Sequence, residues 1–200
     1  MEVLLIRHGE PGSVAGVATT DPPLSDCGRR QAALLAEWIG DEAIDAVCTS
    51  PMQRARETAE PLAHATGAEL EVVPGLAELN TGEAAYVKVE DLWRTDQARM
   101  RALAEGRWED LGLSETYARF SETVLTTFEE LIGGNPGRRI AAICHGGVIN
   151  TIVSNVLGMS RQMFFEPGYT SVTRVAAART GERTLLSLNE TAHLRACRAR

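Results

Sequence analysis

Two short apolar runs, far apart in the chain, each stop at a histidine followed by glycine. Val3-Leu4-Leu5-Ile6 runs into Arg7-His8-Gly9-Glu10, and Ile140-Ala141-Ala142-Ile143-Cys144 runs into His145-Gly146-Gly147. Consecutive aliphatic residues without polar alternation read as strands buried on both faces, the pattern of a parallel sheet. After the second run, Val148, Ile149, Ile152, Val153, Val156 and Leu157 recur at helical spacing and Gly158 ends the pattern. Open α/β sheets bind ligands outside the carboxyl ends of their strands. The two runs therefore constrain the fold and the position of any site together.

A third strand-to-helix turn lies between them. Ala46-Val47-Cys48 leads to Thr49-Ser50-Pro51, with Ser50 predicted as helix N-cap, Pro51 as first helical residue and Arg54 one turn further on. If these strands are neighbours, Arg7, His8, Arg54 and His145 converge on one pocket. Periodicity does not supply the strand order that decides this.

The rest of the chain fills in around the three turns. A helix is predicted over Asp26–Ile39, opened by Leu24-Ser25 and stopped by Gly40; the helix after Ser50 runs towards Gly67, with Pro61 expected to kink or interrupt it. Glu69–Val73 reads as a strand and Pro74-Gly75 as a turn. One helix is expected over Val89–Ala104, with Leu92, Trp93, Met100 and Leu103 as its apolar residues, then Trp108 in a connection, then a helix over Ser114–Ile132. Strands at Ser171–Ala178 and Thr184–Leu188 form a hairpin across Thr180-Gly181-Glu182-Arg183. The expected architecture is a single-domain α/β three-layer sandwich. Its central sheet is mostly parallel, helices cover both faces, and one edge strand is antiparallel. A helical excursion at about 83–113 is expected near the site.

Composition narrows the function. The net charge of -7 over 200 residues argues against a nucleic-acid-binding surface, although a pocket lined by arginine can still be locally positive. Cys27, Cys48, Cys144 and Cys197 show no paired spacing, so free thiols in a reducing, cytoplasmic compartment are expected. The opening apolar run is too short for a membrane span or a signal peptide. No cofactor or metal is expected, since the histidines lack H-E-x-x-H spacing. Oligomeric state is not readable.

Taken in order, several blocks resemble the histidine phosphatase superfamily, the phosphoglycerate mutase-like proteins. They are Leu5-Ile6-Arg7-His8-Gly9-Glu10, Leu24-Ser25-Asp26-Cys27-Gly28-Arg29-Arg30-Gln31-Ala32, and Ser50-Pro51-Met52-Gln53-Arg54-Ala55-Arg56-Glu57-Thr58-Ala59. Leu76-Ala77-Glu78 with Gly82, then His145-Gly146-Gly147, then Leu188-Asn189-Glu190-Thr191-Ala192-His193-Leu194 complete the series. The resemblance covers nearly the whole chain and implies one such domain over residues 1–200. It implies His8 as a nucleophile forming a phosphohistidine, and Glu78 as proton donor to the leaving alcohol and then as base towards water. Arg7, Arg54, His145 and Gly146 are implied to bind the phosphoryl group, whose equatorial charge suits planar guanidinium forks.

The chain also departs from the family's pattern. Pro11 and Val14 stand where many relatives carry Thr and Asn, and Glu83-Ala84-Ala85-Tyr86 replaces a segment resembling W-E-G. The Trp and Asn pattern of cofactor-dependent phosphoglycerate mutases is absent. These departures favour a metal-independent phosphomonoesterase acting on a small phosphorylated metabolite. A phosphoglycerate mutase-type transfer and a non-catalytic phospho-ligand-binding module are the alternatives. Specificity is expected from the Pro11–Pro23 loop and the helical excursion, where Tyr86, Trp93, Met100 and Trp108 are either core or substrate contacts. His64, Arg56 and Glu57 read as solvated, His193 as structural, and Glu10 as either pocket rim or surface.

Overall fold

The computed structural model describes residues 1–13, 19–80, 82, 86–87 and 89–195. Val14, Glu83, Ala84, Ala85 and Cys197, singled out above, lie outside the described residues, as does the side chain of Leu92.

Each of the three predicted strand-to-helix connections forms. β1 (Glu2–Arg7), β2 (Ala46–Thr49) and β4 (Arg139–Cys144) are followed by α1 (Asp26–Ile39), α2 (Gln53–Thr66) and α6 (Gly146–Val156), respectively. With β3 (Leu70–Val72), β5 (Val172–Ala177) and β6 (Arg183–Glu190), the described strands form one sheet in the order β3-β2-β4-β1-β5-β6. β3, β2, β4 and β1 are mutually parallel; β5 pairs antiparallel with β1 and β6 antiparallel with β5, the expected hairpin and antiparallel edge. The missing strand order is thus β2-β4-β1. In register, Arg7 lies opposite Cys144 and Thr49 opposite Ile143, so all three strands end at one level.

Strand alternation divides the core into two layers. Val3 and Leu5 face Val124 and Phe128 of α5 (Ser114–Gly134) and Val148 and Ile152 of α6. Leu4 and Ile6 face Leu35 and Ile39 of α1 and Ala55 and Leu62 of α2. Each of the Val, Leu, Ile and Phe side chains contributes about 1.5–3 kcal/mol by leaving water. At the amino end of the sheet, Arg174 pairs with Glu42 at 2.7 Å and with Glu2 and Glu190 at 3.2 Å, tying β1, β5 and β6 together.

Four expectations change. α2 begins at Gln53 with Met52 as its cap residue, not at Pro51 behind Ser50: the Asp21 carboxylate reaches across from the preceding loop and accepts from the Gln53 amide at 2.9 Å. α2 also runs uninterrupted through Pro61, because Ala55, Ala59 and Leu62 anchor the helix in the core on both sides of the lost donor. The helix expected over Val89–Ala104 is two, α3 (Val89–Thr95) and α4 (Gln97–Glu105), divided where Asp96 turns to cap α4 through the Arg99 amide at 2.9 Å. α5 continues past Ile132 to Gly134. Trp108 and Met100 are buried, and Trp108 stacks on Tyr117 of α5 with ring centroids 3.9 Å apart. Among the described residues no helix is long and apolar enough to cross a membrane.

Phe128 joins α5 to the sheet in a fully packed layer. Phe128→Ala should lower unfolding free energy by about 3–5 kcal/mol, measured as a reduced urea midpoint at unchanged m-value.

Candidate functional site

The turn after β1 is held from every side. The His8 amide donates to the Cys144 carbonyl of β4 at 3.0 Å, while the Thr170 amide donates to the Arg7 carbonyl at 3.0 Å and reaches the His8 carbonyl at 3.3 Å. Thr170 is buried and sits at φ 54°, a left-handed conformation that a threonine rarely adopts. The Gly9 amide donates to Thr58 Oγ1 at 2.9 Å, and that hydroxyl donates to the Arg54 carbonyl at 2.7 Å, linking the turn to α2. A Cβ on Gly28 would collide with the Glu10 carbonyl, so only glycine lets α1 approach this closely. Ser25 caps α1 by accepting from the Gly28 amide at 2.9 Å and donates to Glu10 Oε1 at 3.0 Å. Glu10 is therefore part of the scaffold beneath the turn.

On this scaffold Arg7, His8, Arg54 and His145 meet, all buried. His8 Nδ1 lies 2.7 Å from the Gly9 carbonyl, which can only accept, so Nδ1 carries the proton and Nε2 the free lone pair. Arg54 Nε donates to that Nε2 at 3.2 Å. Arg54 Nη2 stands 3.3 Å from His145 Nδ1; guanidinium has no lone pair, so Nδ1 accepts and His145 Nε2 donates to Ser50 Oγ at 2.7 Å. The two imidazole centroids are 5.0 Å apart.

Both arginines are gripped at their outer ends. Arg54 pairs with Asp21 at 3.3 Å and lies under the Tyr86 ring at 4.6 Å. Arg7 donates to the Pro167 carbonyl at 2.5 Å, stands 3.7 Å from Glu166, and lies 4.2 Å from the Tyr169 ring centre. Arg7 Nε is buried without a hydrogen-bond partner, a donor suited to an incoming anion.

Glu78 comes from the turn after β3. Its Oε2 accepts from the Gly147 amide at 3.0 Å and its Oε1 from the Leu79 amide at 2.9 Å. The carboxyl group is thus seated at the amino end of α6 by two backbone amides. A Cβ on Gly147 would strike that carboxylate, which accounts for the second glycine of His145-Gly146-Gly147. Gly146 opens α6, and its amide belongs to the first turn, whose amides have no intrahelical partner.

Electrostatics set the protonation states. Burial, then the Arg54 and Arg7 charges, holds the His8 imidazole well below its ordinary pKa of 6.5. His145 is held down by burial, then by His8, Arg54 and Arg7. Both rings are neutral at pH 7, and His8 keeps its lone pair. Cys144, beside His145, is pushed up by burial, which keeps it a thiol. Among the described residues no group of three or more His, Cys, Asp or Glu is placed to hold a metal ion.

Several participants were not anticipated. Asp21 lies in a loop whose composition carries no motif, Ser50 reads as a cap, and Tyr169, Thr170 and Glu166 follow no periodic pattern. Glu57, expected to be solvated, accepts from the Leu24 amide at 2.8 Å because α2 packs against the start of α1. His64 is exposed as expected. His193 stacks on Trp38 at 4.9 Å and sits 3.0 Å from Thr170 Oγ1, and burial lowers its pKa to about 4.

The family model for the histidine phosphatase superfamily (branch 1) matches residues 3–191. Curated relatives named probable phosphoglycerate mutase GpmB include one from Serratia proteamaculans, 26% identical over 163 residues, covering 80% of this chain and 76% of that protein. The counterpart from Escherichia fergusonii is 28% identical over the same shares. Among solved structures, a phosphoserine phosphatase from Entamoeba histolytica in complex with 3-phosphoglyceric acid superposes with TM-score 0.76. It is 28% identical over 96% of this chain and 98% of that one. A mycobacterial glucosyl-3-phosphoglycerate phosphatase, 20% identical over 95% of this chain and 99% of its own, shares the fold with TM-score 0.78.

The depressed histidines make stability pH-dependent. Below about pH 6.5 the unfolded chain binds protons at His8, His145 and His193 that the folded chain refuses, so stability rises with pH across this window. Urea unfolding should give a lower free energy at pH 5 than at pH 7, and a smaller difference in His193→Gln. Equal values at the two pH values would contradict the assignment of neutral buried imidazoles.

Proposed function

This chain belongs to the histidine phosphatase superfamily, branch 1, and on that premise we propose that it is a metal-independent phosphomonoesterase acting on a small phosphorylated metabolite through a phosphohistidine. One observation carries the reading. With its Nδ1 proton committed to the Gly9 carbonyl, His8 presents an unprotonated Nε2 beside two buried guanidiniums. Anion binding alone needs no such lone pair, which weighs against a purely binding module.

The proposed steps use only these side chains and water. The phosphoryl oxygens displace Nε2 of His8 as the partner of Arg54 and take up the buried Arg7 Nε, with His145 and the Gly146 amide completing the cradle. His8 Nε2 attacks phosphorus, the P–O bond to the alcohol breaks, and Glu78 gives the departing oxygen its proton. The resulting carboxylate then removes a proton from water, whose oxygen attacks the phosphohistidine, releasing phosphate and restoring Nε2. Charge collecting on the three equatorial oxygens meets donors already in place, so little reorganisation is required.

Solved phosphatases of the same fold support hydrolysis of small esters, whereas the curated relatives carry a mutase name. Both outcomes share the first half-reaction and differ in whether water or a second hydroxyl accepts the phosphoryl group. Specificity is assigned to the loop ending at Pro23 and to the helical excursion at about 83–113. These meet over the site: the Tyr86 amide donates to the Thr19 carbonyl at 2.8 Å, and the Tyr86 ring covers Arg54. The reading places the enzyme in the cytoplasm, consistent with buried free thiols at Cys48 and Cys144.

Phosphate release from an aryl phosphate in excess chelator should be robust in the wild type and absent in His8→Ala. Glu78→Gln should lower turnover of an alkyl phosphate by roughly 10²–10⁴-fold and of an aryl phosphate by less, because a phenolate needs less protonation to leave. Turnover persisting in His8→Ala would falsify the phosphohistidine. Isomerised ester in place of free phosphate would favour the mutase.

A further inference from the structure

We propose that Ser50 is a positioning residue for this reaction. Its hydroxyl, 2.7 Å from His145 Nε2, accepts from that nitrogen while Nδ1 faces Arg54 and donates to it when a phosphoryl group draws a proton to Nδ1. The inference rests on the phosphohistidine reading and assigns Ser50 a role that a helix cap would not have.

The geometry leaves His145 a narrow choice. The ring is fully buried, and its two nitrogens face different partners: Nδ1 faces Arg54 Nη2 at 3.3 Å, Nε2 faces Ser50 Oγ. While Nδ1 faces Arg54, which can only donate, Nδ1 must accept and Nε2 must carry the proton. A phosphoryl oxygen entering between the arginines can only accept. Nδ1 must then carry the proton, and the neutral ring now presents a bare lone pair at Nε2.

A fixed donor or a fixed acceptor at Nε2 would favour one of these states and oppose the other. A hydroxyl serves both, because it turns about its C–O bond. The change moves one proton: Nε2 loses it to water and Nδ1 gains one from water while the pocket is still open. The ring charge is the same before and after. Ser50 is itself immobile at the heavy-atom level. It is fully buried, its amide donates to the Ile143 carbonyl of β4 at 2.9 Å, and its Oγ also accepts weakly from the Met52 amide at 3.3 Å. Because Asp21 caps α2, the Ser50 side chain is available for His145.

The test is a double-mutant cycle read by turnover and by imidazole nitrogen NMR. Ser50→Ala leaves Nε2 buried without a partner and should lower kcat/KM for an aryl phosphate about tenfold to a hundredfold. Ser50→Thr, which keeps the hydroxyl, should recover most of that loss. In a His145→Ala background, Ser50→Ala should have little further effect on kcat/KM, a coupling that a purely structural role would not produce. In the wild type, inorganic phosphate should move the His145 proton from Nε2 to Nδ1. The inference is overturned if the two substitutions act additively, if Ser50→Ala keeps wild-type kcat/KM, or if phosphate leaves the proton on Nε2. If the wild type releases no phosphate but the NMR change occurs, the hydrolase reading fails while the Ser50 pairing stands.

Discussion

The site depends on the parallel register of β1, β4 and β2. Three strands that end at the same level deliver three residues to one place: His8 after Arg7, His145 after Cys144, and Ser50 after Thr49. A parallel ladder sets this level through backbone hydrogen bonds, while apolar side chains on both faces prevent slippage. Moving β1 by one residue would exchange Val3 and Leu5 with Leu4 and Ile6 and place each set in the wrong layer. The strength of the core is thereby converted into precision at its polar edge.

That edge is an unusual electrostatic object. Two guanidiniums are buried within a few ångströms of two imidazoles in an acidic protein. Isolated charges in such a position are costly. The chain lowers the cost by keeping both imidazoles neutral, by setting Asp21 and Glu166 against the outer ends of the arginines, and by covering each guanidinium with a tyrosine ring. The residual positive potential is what a phosphoryl dianion would neutralise. Selectivity for phosphate at one point therefore needs no positive surface elsewhere.

The sequence reveals the histidines and arginines because each directly follows an uninterrupted apolar strand or a helix start. It reveals the alternation of β1 only after strand order is known. Hidden are the contacts that cross between elements with no periodic relation: Asp21 reaching α2, Thr170 reaching the β1 turn, His193 reaching Thr170. Local propensity makes Ser50 a cap and Pro61 a break, and in both cases a tertiary partner decides otherwise; residues 89–104 read as one helix, and a local cap divides them. Asp21 removes the need for the Ser50 cap, core anchoring carries α2 past Pro61, and Asp96 caps α4 through the amide three residues on.

Pro11 and Leu24 form an isolated antiparallel bridge, and the Gly12 amide donates to the Pro23 carbonyl at 2.7 Å. The two ends of the intervening loop are thus clasped together. For a loop closed at its neck, added or removed residues change the closure entropy only logarithmically. The neck acts as a socket. A loop of another length set in this socket would leave the Pro11–Leu24 bridge beside the His8 turn in place.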